Sequence, residues 1–501
     1  MADTSHHEHD PNEEDDAMLD PDEAEEIVED DGDAAMDSGD EDEEQTIQLQ
    51  NDSSAHFDGH TDSIFCITQH PTRSELVATG AGDDVAYVWD CTPPEGPVLP
   101  ASYESDPQPR ERQGQQIIAK LDGQDESVGA ICFTLPKGEY VVTATLAGKL
   151  NAYSTPANGR EAKLVGSAKE VEEIRWMLPC PNAQYPNTIA FGAGDGSVWV
   201  YTVNAKDPSS TLTIVQTFFL HQGACEAGVW TPDGKLLATV SEDGSLYVWD
   251  VFGEAAAAGI VDPNGGQAIV GLTADDERFK VEGGLYSAAI SPGGGIVAVG
   301  GADGNIRVVS LPRLSAAQQQ AGVGAKGAGG KAKAGGAKQN PSQATAGNAG
   351  AIIASLRTQS GSVETLDFSH PPLQILAAGS VDGSIVLFDA GHNFAVRRHI
   401  KGAHQEEDVE QTVIKVEFVK LPIGIANPIG HVLTSCGNDG VIRRWDVRGG
   451  TGASGQGLLG EWKGHRGGGE GGGILGFVQG GGGKRVVTAG DDKVSLVFDV
   501  A

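Results

Sequence analysis

The ten residues Ser241–Asp250, "SEDGSLYVWD", combine an Asp-Gly turn, a short run of apolar and aromatic residues, and a final aromatic residue followed by Asp. The same chain contains "GAGDGSVWVYT", "SVDGSIVLFD" and "GNDGVIRRWD". Asp and Gly before an aromatic and β-branched run predict a tight turn that leads into a strand. Recurrence of this unit along one chain indicates a repeat architecture.

The repeat occurs eight times when each copy is anchored on the residue six positions before the end of its strand. The turn residues are Asp83, Ala147, Asp195, Asp243, Asp303, Asp382, Asp439 and Asp492, and the strands end at Trp89, Tyr153, Tyr201, Trp249, Val309, Phe388, Trp445 and Phe498. Removing residues 91–114 and 312–350 as insertions shortens the two longest steps to about 40 residues, a period typical of a four-stranded propeller blade. We therefore predict an all-β propeller of eight blades; seven blades would require the second repeat to be irregular.

Over residues 45–501 these repeats resemble the WD40 family. The resemblance implies a buried network of His, Ser or Thr, Asp and Trp in each complete blade. Three complete sets are His60, Thr79, Asp83 and Trp89; His221, Thr239, Asp243 and Trp249; and His404, Ser435, Asp439 and Trp445. His465, Thr488 and Asp492 form a fourth set in which Phe498 replaces Trp. Because the sets recur, they favour a structural role over a catalytic triad, and we expect repeats two, three, five and six to depend on apolar packing.

The two ends of the chain are predicted to complete the last blade together. The chain stops after "VSLVFDV", residues 494–500, which corresponds to the third strand of the eighth blade. "QTIQLQ", Gln45–Gln50, alternates polar and apolar residues as a strand does. We expect this segment to supply the missing outer strand, which removes an exposed sheet edge.

Charge is unevenly distributed along the chain. The formal net charge is −37, and 22 of the 71 acidic residues lie in residues 1–44, which contain no Lys or Arg. The remaining residues 45–501 contain 49 acidic and 34 basic residues. We predict that residues 1–44 form a disordered acidic tail. An acidic chain is poorly suited to bind nucleic acid or anionic lipid and favours a basic polypeptide as its partner.

Other compositional features narrow the class of protein. Residues 312–350 are rich in Gly, Ala and Lys and are predicted to be a flexible insertion between the third and outer strands of blade five.

The six cysteines are scattered without a C-x-x-C pair, which favours reduced thiols over a disulfide framework or a metal site. The N-terminus lacks the pattern of a secretory signal, and no apolar stretch is long enough to span a membrane. We expect a monomeric protein that is located in the cytoplasm, with the nucleus as an alternative location.

Acidic residues recur where each predicted inner strand begins. Counted forward from the His position of each repeat, Asp62 and Glu126 lie two residues later. Five residues later lie Glu172, Glu226 and Glu364, with Tyr286 at the same position in blade five. Glu173 adjoins Glu172, and the longer loop of blade seven adds Glu406, Glu407, Asp408 and Glu410. We predict that these residues surround the central opening on one face and bind a basic polypeptide. The alternative is that they are solvated loop charges.

No known catalytic signature occurs: there is no P-loop, dinucleotide fingerprint, H-E-x-x-H or G-x-S-x-G motif. We therefore expect a non-enzymatic binding protein without a cofactor or metal. "WDVR", Trp445–Arg448, matches a short motif by which some WD40 proteins dock on a cullin-ligase adaptor. The alternative function is a ubiquitin-ligase substrate receptor, which this motif would serve, or an acidic histone-type chaperone.

The layout is similar to one WD40 family in particular. An acidic N-terminus precedes "HFDGHTDSIFCITQHP" and "ATGAGDDVAYVWD", followed by "LHQGACEAGVWTPDGKLLATVSEDGSLYVWD" and the Lys/Gly-rich insertion before repeat six. These segments resemble the angio-associated migratory cell protein family, which includes a fungal chaperone of a large-subunit ribosomal protein. The resemblance implies capture of the basic N-terminal segment of a newly made ribosomal protein and its delivery for ribosome assembly.

Overall fold

Eight four-stranded antiparallel sheets follow one another along the chain. The computed structural model describes residues 50–94, 113–157, 161–207, 209–260, 268–314, 349–406, 408–421, 428–449, 454–467, 471–480 and 482–500. The predicted tail, 1–44, and most of the predicted insertion, 312–350, lie outside these residues. The described residues fall within one compact unit, Leu49–Ala501.

Each sheet is a blade with an inner, a second, a third and an outer strand. The inner strands are β2 (Ile64–Gln69), β6 (Val128–Phe133), β10 (Ile174–Pro179), β14 (Cys225–Trp230), β18 (Leu285–Ile290), β22 (Val363–Phe368), β28 (Val413–Phe418) and β32 (Ile474–Gly480). The second strands are β3 (Leu76–Ala81), β7 (Tyr140–Thr145), β11 (Thr188–Ala193), β15 (Leu236–Ser241), β19 (Ile296–Gly301), β23 (Ile375–Ser380), β29 (Val432–Gly437) and β33 (Arg485–Gly490).

The third and outer strands complete the blades. The third strands are β4 (Ala86–Asp90), β8 (Lys149–Ser154), β12 (Val198–Val203), β16 (Leu246–Asp250), β20 (Asn305–Ser310), β24 (Ile385–Asp389), β30 (Ile442–Asp446) and β34 (Ser495–Asp499). The outer strands are β5 (Ile117–Leu121), β9 (Leu164–Lys169), β13 (Leu212–Phe218), β17 (Ala268–Leu272), β21 (Ile352–Arg357), β25 (Ala395–Ile400), β31 (Leu458–Trp462) and, in blade eight, β1 (Ala55–Phe57).

Few other elements are present in the described residues. A two-stranded hairpin of β26 (Gln405–Glu406) and β27 (Val409–Glu410) precedes blade seven. The single α-helix among these residues is Glu254–Ala257, and 3-10 turns cover Ala302–Gly304, Ala390–His392 and Ser454–Gly457. In blade five, β20 pairs with β21, and the predicted insertion lies in the connection between these two strands.

The turns between second and third strands have the backbone that the sequence predicts. Gly244, which follows Asp243, has φ 77°, a left-handed conformation that glycine adopts without a Cβ clash. Two blades place other residues there: Asp84 at φ 59° and Lys493 at φ 73°. The repeated Asp-Gly therefore marks a tight turn, and its Asp accepts backbone hydrogen bonds, as Asp243 does from Ser245 N at 2.7 Å.

The hydrophobic core is divided among the interfaces between neighbouring blades. Each buried cluster combines residues of two successive blades, and together the clusters cover all eight interfaces, including that between blades eight and one. The inner strands contact one another in the same cyclic order. A single blade buries its apolar faces only against two neighbours, so closing the ring completes the core. The eight-bladed propeller predicted from the repeats is confirmed.

The strand that closes the ring differs from the prediction. Residues 45–49 lie outside the described residues and Gln50 is not in a strand, whereas Ala55–Phe57 pairs antiparallel with β34. Phe57 is fully buried and stacks on Trp89 with ring centroids 4.8 Å apart. The assignment of Gln45–Gln50 was wrong because a three-residue strand has too little alternation to stand out, while its anchoring partner, Trp89, is distant in sequence.

Candidate functional site

All eight inner strands contain a β-bulge at their second residue. The register with the neighbouring strand shifts between the first and third residues in every blade. A bulge leaves one residue without a ladder partner and redirects its side chain. The bulged residues, which we call the bulge ring, are Phe65, Gly129, Arg175, Glu226, Tyr286, Glu364, Ile414 and Leu475.

The bulge ring lies on the same face as the Asp turns. The loop that enters each inner strand bonds to a turn of its own blade: Thr61 N donates to Asp83 at 2.8 Å, and Ser360 N donates to Asp382 at 2.7 Å. Gly82, in the first of these turns, donates its N–H to Ser63 O at 2.9 Å. We call this face the mouth face, because the inner strands begin there.

Blades four to six supply a negatively charged part of the bulge ring. Burial raises the pKa of Glu226; the Arg175 guanidinium opposes this, but the carboxylates of Glu242, Glu173 and Glu364 raise the pKa further. Burial, followed by the charges of Glu364, Glu226 and Glu242, likewise raises the pKa of Tyr286. Glu226 and Glu364 occupy equivalent bulge positions in blades four and six, so carboxylates far apart in sequence converge on one part of the ring. Crowded like charges of this kind favour a bound cation.

Blade three departs from the predicted arrangement. Glu172 was expected at the position of Glu226 and Glu364, but the residue at that position is Arg175. Glu172 is exposed and lies two residues before β10, as Asp62 and Glu126 lie before β2 and β6. The error arose because repeat three lacks the His from which the positions were counted. Arg175 Nε lies 3.3 Å from Glu173 Oε1, so Glu173 is partly neutralised.

The remaining predicted residues lie around the bulge ring. Asp62 and Glu126 are exposed in the loops before β2 and β6. Glu406 and Glu410 belong to the hairpin of β26 and β27, with Asp408 at its tip at φ 70°, whereas Glu407 lies outside the described residues. Glu242, which precedes the turn residue Asp243, is an acidic residue of this face that the sequence pattern did not predict. Its signal is the Glu in "SEDGS", which lies in the turn after a second strand and not at the start of an inner strand.

The His networks have the predicted geometry in blades one, seven and eight. His60 Nδ1 lies 3.1 Å from Asp83, Nε2 lies 3.0 Å from Thr79 Oγ1, and Trp89 Nε1 donates to that hydroxyl at 3.3 Å. The corresponding distances in blade seven are 2.8 Å for His404 to Asp439, 2.8 Å for His404 to Ser435, and 2.9 Å for Trp445 to Ser435.

Blade eight keeps the first two contacts of this network. His465 Nδ1 lies 2.9 Å from Asp492, and Nε2 lies 2.7 Å from Thr488. Phe498 cannot donate, and Thr488 Oγ1 instead bonds to the backbone of Leu496. These buried side chains satisfy one another's hydrogen bonds, which is a structural arrangement that leaves none of them free to react with a substrate.

Blade four differs from the predicted set. His221 Nε2 lies 2.8 Å from Thr239 and Trp249 donates to Thr239 at 2.8 Å, but His221 Nδ1 lies 2.6 Å from Ser245 Oγ and not against Asp243. Asp243 instead accepts from the backbone of Gln222 at 2.5 Å and of Ser245 at 2.7 Å. The equivalents of Ser245 in the other three His blades are valines, so a hydroxyl at this position redirects the histidine.

Glutamine replaces histidine in blades two and six. Gln124 accepts from Thr143 Oγ1 at 3.1 Å and from Asn151 Nδ2 at 3.0 Å, and it donates to Tyr153 OH at 2.9 Å. Gln359 donates to Ser384 Oγ at 3.1 Å and to Ala378 O at 3.3 Å. The expectation that these two blades depend on apolar packing alone was wrong, because a glutamine side chain both donates and accepts and can take the place of the imidazole.

No alternative reactive centre emerges from the described residues. They contain no group of three His, Cys, Asp or Glu side chains arranged to hold a metal ion. All six cysteines are free, and burial raises the thiol pKa of each, for example to about 12 for Cys225. Every helix in the described part of the chain is too short to reach across a bilayer.

Comparison with known proteins identifies the relatives of this chain. The family model "WD domain, G-beta repeat" matches residues 51–90, 212–250, 278–310 and 350–389. The crystal structure of Chaetomium thermophilum Sqt1 bound to the N-terminus of the ribosomal protein L10 is 48% identical, with a TM-score of 0.73, and the match covers 90% of this chain and 100% of that one.

Two curated proteins extend the comparison. The ribosome assembly protein SQT1 of Saccharomyces cerevisiae is 34% identical over 228 residues, which are 44% of this chain and 47% of that protein. The angio-associated migratory cell protein of Homo sapiens is 24% identical over 465 residues, 91% of this chain and 82% of that protein. With the eight-bladed fold and the His networks, these similarities show that the chain belongs to the WD40-repeat family of the Sqt1 ribosome assembly proteins and the angio-associated migratory cell proteins.

Proposed function

We propose that this chain is a dedicated chaperone that captures the basic N-terminal segment of a newly made large-subunit ribosomal protein and delivers it for ribosome assembly. The mouth face is the binding surface, and the client is the protein equivalent to ribosomal protein L10. The observation that carries this proposal is that Glu226, Tyr286 and Glu364 occupy the same bulge position in three successive blades. The L10-bound Sqt1 structure supports the identity of the client.

Physical chemistry explains why this surface favours a basic segment. Burial, and after it the neighbouring carboxylates, raise the pKa of Glu226. A Lys or Arg side chain that pairs with Glu226 relieves the repulsion among these carboxylates. Hydrogen bonds between such a cation and a carboxylate are stronger than those between neutral groups. The 15 excess negative charges of residues 45–501 add a long-range attraction for the same client.

The activity is binding without catalysis, and it takes place in the cytoplasm. The buried His, Thr and Asp groups are occupied by one another, as in blade one, which leaves the carboxylates of the mouth face as the chemically available groups. A carboxylate surface that holds a basic segment also shields it from nucleic acid and from other polyanions.

Neutralising Glu226 and Glu364 tests the proposal. We expect Glu226→Gln with Glu364→Gln to weaken binding of the L10 N-terminal peptide at least tenfold, because two charge-assisted hydrogen bonds become neutral ones. Isothermal titration calorimetry with the peptide of the same species gives the Kd, and thermal melting verifies that the variant is folded. Glutamine keeps the size of each side chain, so the ring should survive.

A matched control removes the same charge from the opposite face. Glu75 and Glu161 are exposed in loops at the far ends of the inner and third strands of blades one and two. Glu75→Gln with Glu161→Gln should leave the Kd within about twofold of the parent. If both double variants bind as the parent does, the mouth face is ordinary solvated surface and the proposed function loses its structural support.

A further inference from the structure

The bulge ring has two chemically different parts. Blades three to six contribute the four polar residues Arg175, Glu226, Tyr286 and Glu364, whereas blades seven, eight, one and two contribute Ile414, Leu475, Phe65 and Gly129. Both sets are contiguous, because the inner strands follow one another in cyclic order. The second set contains no charged group, so a purely ionic client would leave it unused.

Two apolar side chains in the uncharged part are exposed and therefore available to contact a ligand. Phe65 is 38% exposed and Leu146, in the turn after β7, is 40% exposed. A Cβ on Gly129 would lie 2.8 Å from Leu146 Cδ2, so Leu146 covers the position that a larger bulge residue would occupy. The absence of a side chain at Gly129 therefore leaves the space that Leu146 occupies.

Phe65 and Leu146 belong to one connected surface across blades one and two. Leu146 N donates to Ser127 O at 2.9 Å, and Ser127 Oγ donates to Gly82 O at 3.4 Å. A Cβ on Gly82 would lie 3.3 Å from the Phe65 ring and 3.1 Å from the Asp62 carboxylate. We call Phe65 and Leu146 the apolar patch; it adjoins the Asp62 carboxylate.

We propose that the client segment is recognised by an apolar side chain as well as by its charge. A large aliphatic or aromatic residue of the segment covers the apolar patch, while its Lys and Arg side chains lie over Asp62 and the carboxylates of blades four to six. This inference rests on the proposed function and adds a specificity determinant to it: basic segments that lack an apolar residue bind more weakly. Charge complementarity beside the patch is the reason to assign it to this client and not to a second copy of an acidic chain.

The first test replaces the patch and measures affinity and salt dependence separately. We expect Phe65→Ser with Leu146→Ser to weaken binding of the L10 N-terminal peptide about tenfold, since apolar area is no longer removed from water. The slope of log Kd against log salt concentration should stay as in the parent, because no charge has changed. Glu226→Gln with Glu364→Gln should reduce that slope.

Two controls distinguish recognition from an effect on folding. Leu164 and Ile353 are comparably exposed, at 51% and 40%, but lie on outer strands β9 and β21. Leu164→Ser with Ile353→Ser should keep the parent Kd. A second peptide, in which every large apolar residue is replaced by Ser while all Lys and Arg are kept, should bind the parent and the patch variant equally.

The outcomes separate the two proposals. A folded patch variant that binds the unmodified peptide as tightly as the parent would overturn the apolar patch while leaving the proposed function in place. Equal weakening of both peptides by the patch variant would also overturn it, because the loss would then be indirect. A parent protein that does not bind the unmodified peptide would overturn the proposed function and the patch with it.

Discussion

His221 shows how burial and hydrogen bonding set the chemistry of single residues in this ring. Burial lowers its pKa to about 4, with Asp243 opposing the shift, and its two ring nitrogens face the hydroxyl groups of Ser245 and Thr239. A neutral imidazole suits such partners because one nitrogen donates and the other accepts. A glutamine side chain also has a donor and an acceptor, so it can take the place of this histidine in blades two and six.

The lowered pKa of His221 predicts acid sensitivity of the fold. Below the unfolded pKa of 6.5 the unfolded chain takes up a proton that the folded protein does not, so the free energy of unfolding falls as the pH decreases from 6.5 to about 4. The contribution of His221 over this window is about 3 kcal/mol. We expect His221→Gln to flatten the pH dependence of denaturant unfolding by this amount. His392→Gln, at an exposed histidine, is the control, and equal curves for His221→Gln and the parent would contradict the assignment.

At the scale of elements, the ring depends on a three-residue strand. Phe57 of β1 is fully buried against Trp89 of blade one, while β1 itself pairs with β34 of blade eight. The strand therefore joins the two ends of the described ring through both hydrogen bonds and an aromatic stack. Its outward residue, His56, is only half-buried and lies on the other side of the same strand.

Removing the Phe57 ring should open the closure. We expect Phe57→Ala to lower the free energy of unfolding by about 3–5 kcal/mol, the usual cost of truncating a buried Phe, with a matching fall in Tm. His56→Ala should change the Tm little. Deleting residues 1–58 should reproduce the loss and deleting residues 1–49 should not; a large loss from the shorter deletion would return the closing role to residues 45–49.

At the scale of the whole molecule, negative charge is present both on the mouth face and in the sequence before the ring. Residues 1–44 contain 22 acidic residues and no basic ones, and they lie outside the described residues. Contacts that become desolvated govern how fast a complex dissociates, whereas distant charges act mainly on encounter. The two sources of charge should therefore differ in their kinetic effects.

Deleting residues 1–44 should slow client association about tenfold at low salt, with a smaller effect on dissociation. The salt dependence of association should weaken in parallel. Stopped-flow fluorescence with a labelled L10 N-terminal peptide at two salt concentrations measures both rates. An uncharged Ser/Gly segment of equal length separates the effect of charge from that of length, and a change confined to dissociation would instead assign the segment a direct contact.

Features that are local and repeated could be predicted from the amino-acid sequence alone. The Asp-Gly turn is encoded within a few residues, so eight copies of it predicted eight blades, and the acidic balance predicted a basic partner. The His, Thr and Trp of each complete set were also recognisable, because they recur at similar spacing. In blade four, Ser245 takes the place of Asp243 as the hydrogen-bond partner of His221, and the repeat pattern alone did not predict this change.

Features that depend on contacts between blades became visible only in the folded ring. Phe57 became the closing residue because Trp89 lies opposite it, and Arg175 replaced Glu172 in the bulge ring because strand pairing sets where the bulge falls. Glu242 joined the mouth face from outside the counted positions, and Phe65 occupies the five-place position of blade one without being acidic. The physical reason is that a turn is fixed by neighbours in sequence, whereas the register of a bulge and the surroundings of a carboxylate are fixed by residues from separate blades that meet only when the ring closes.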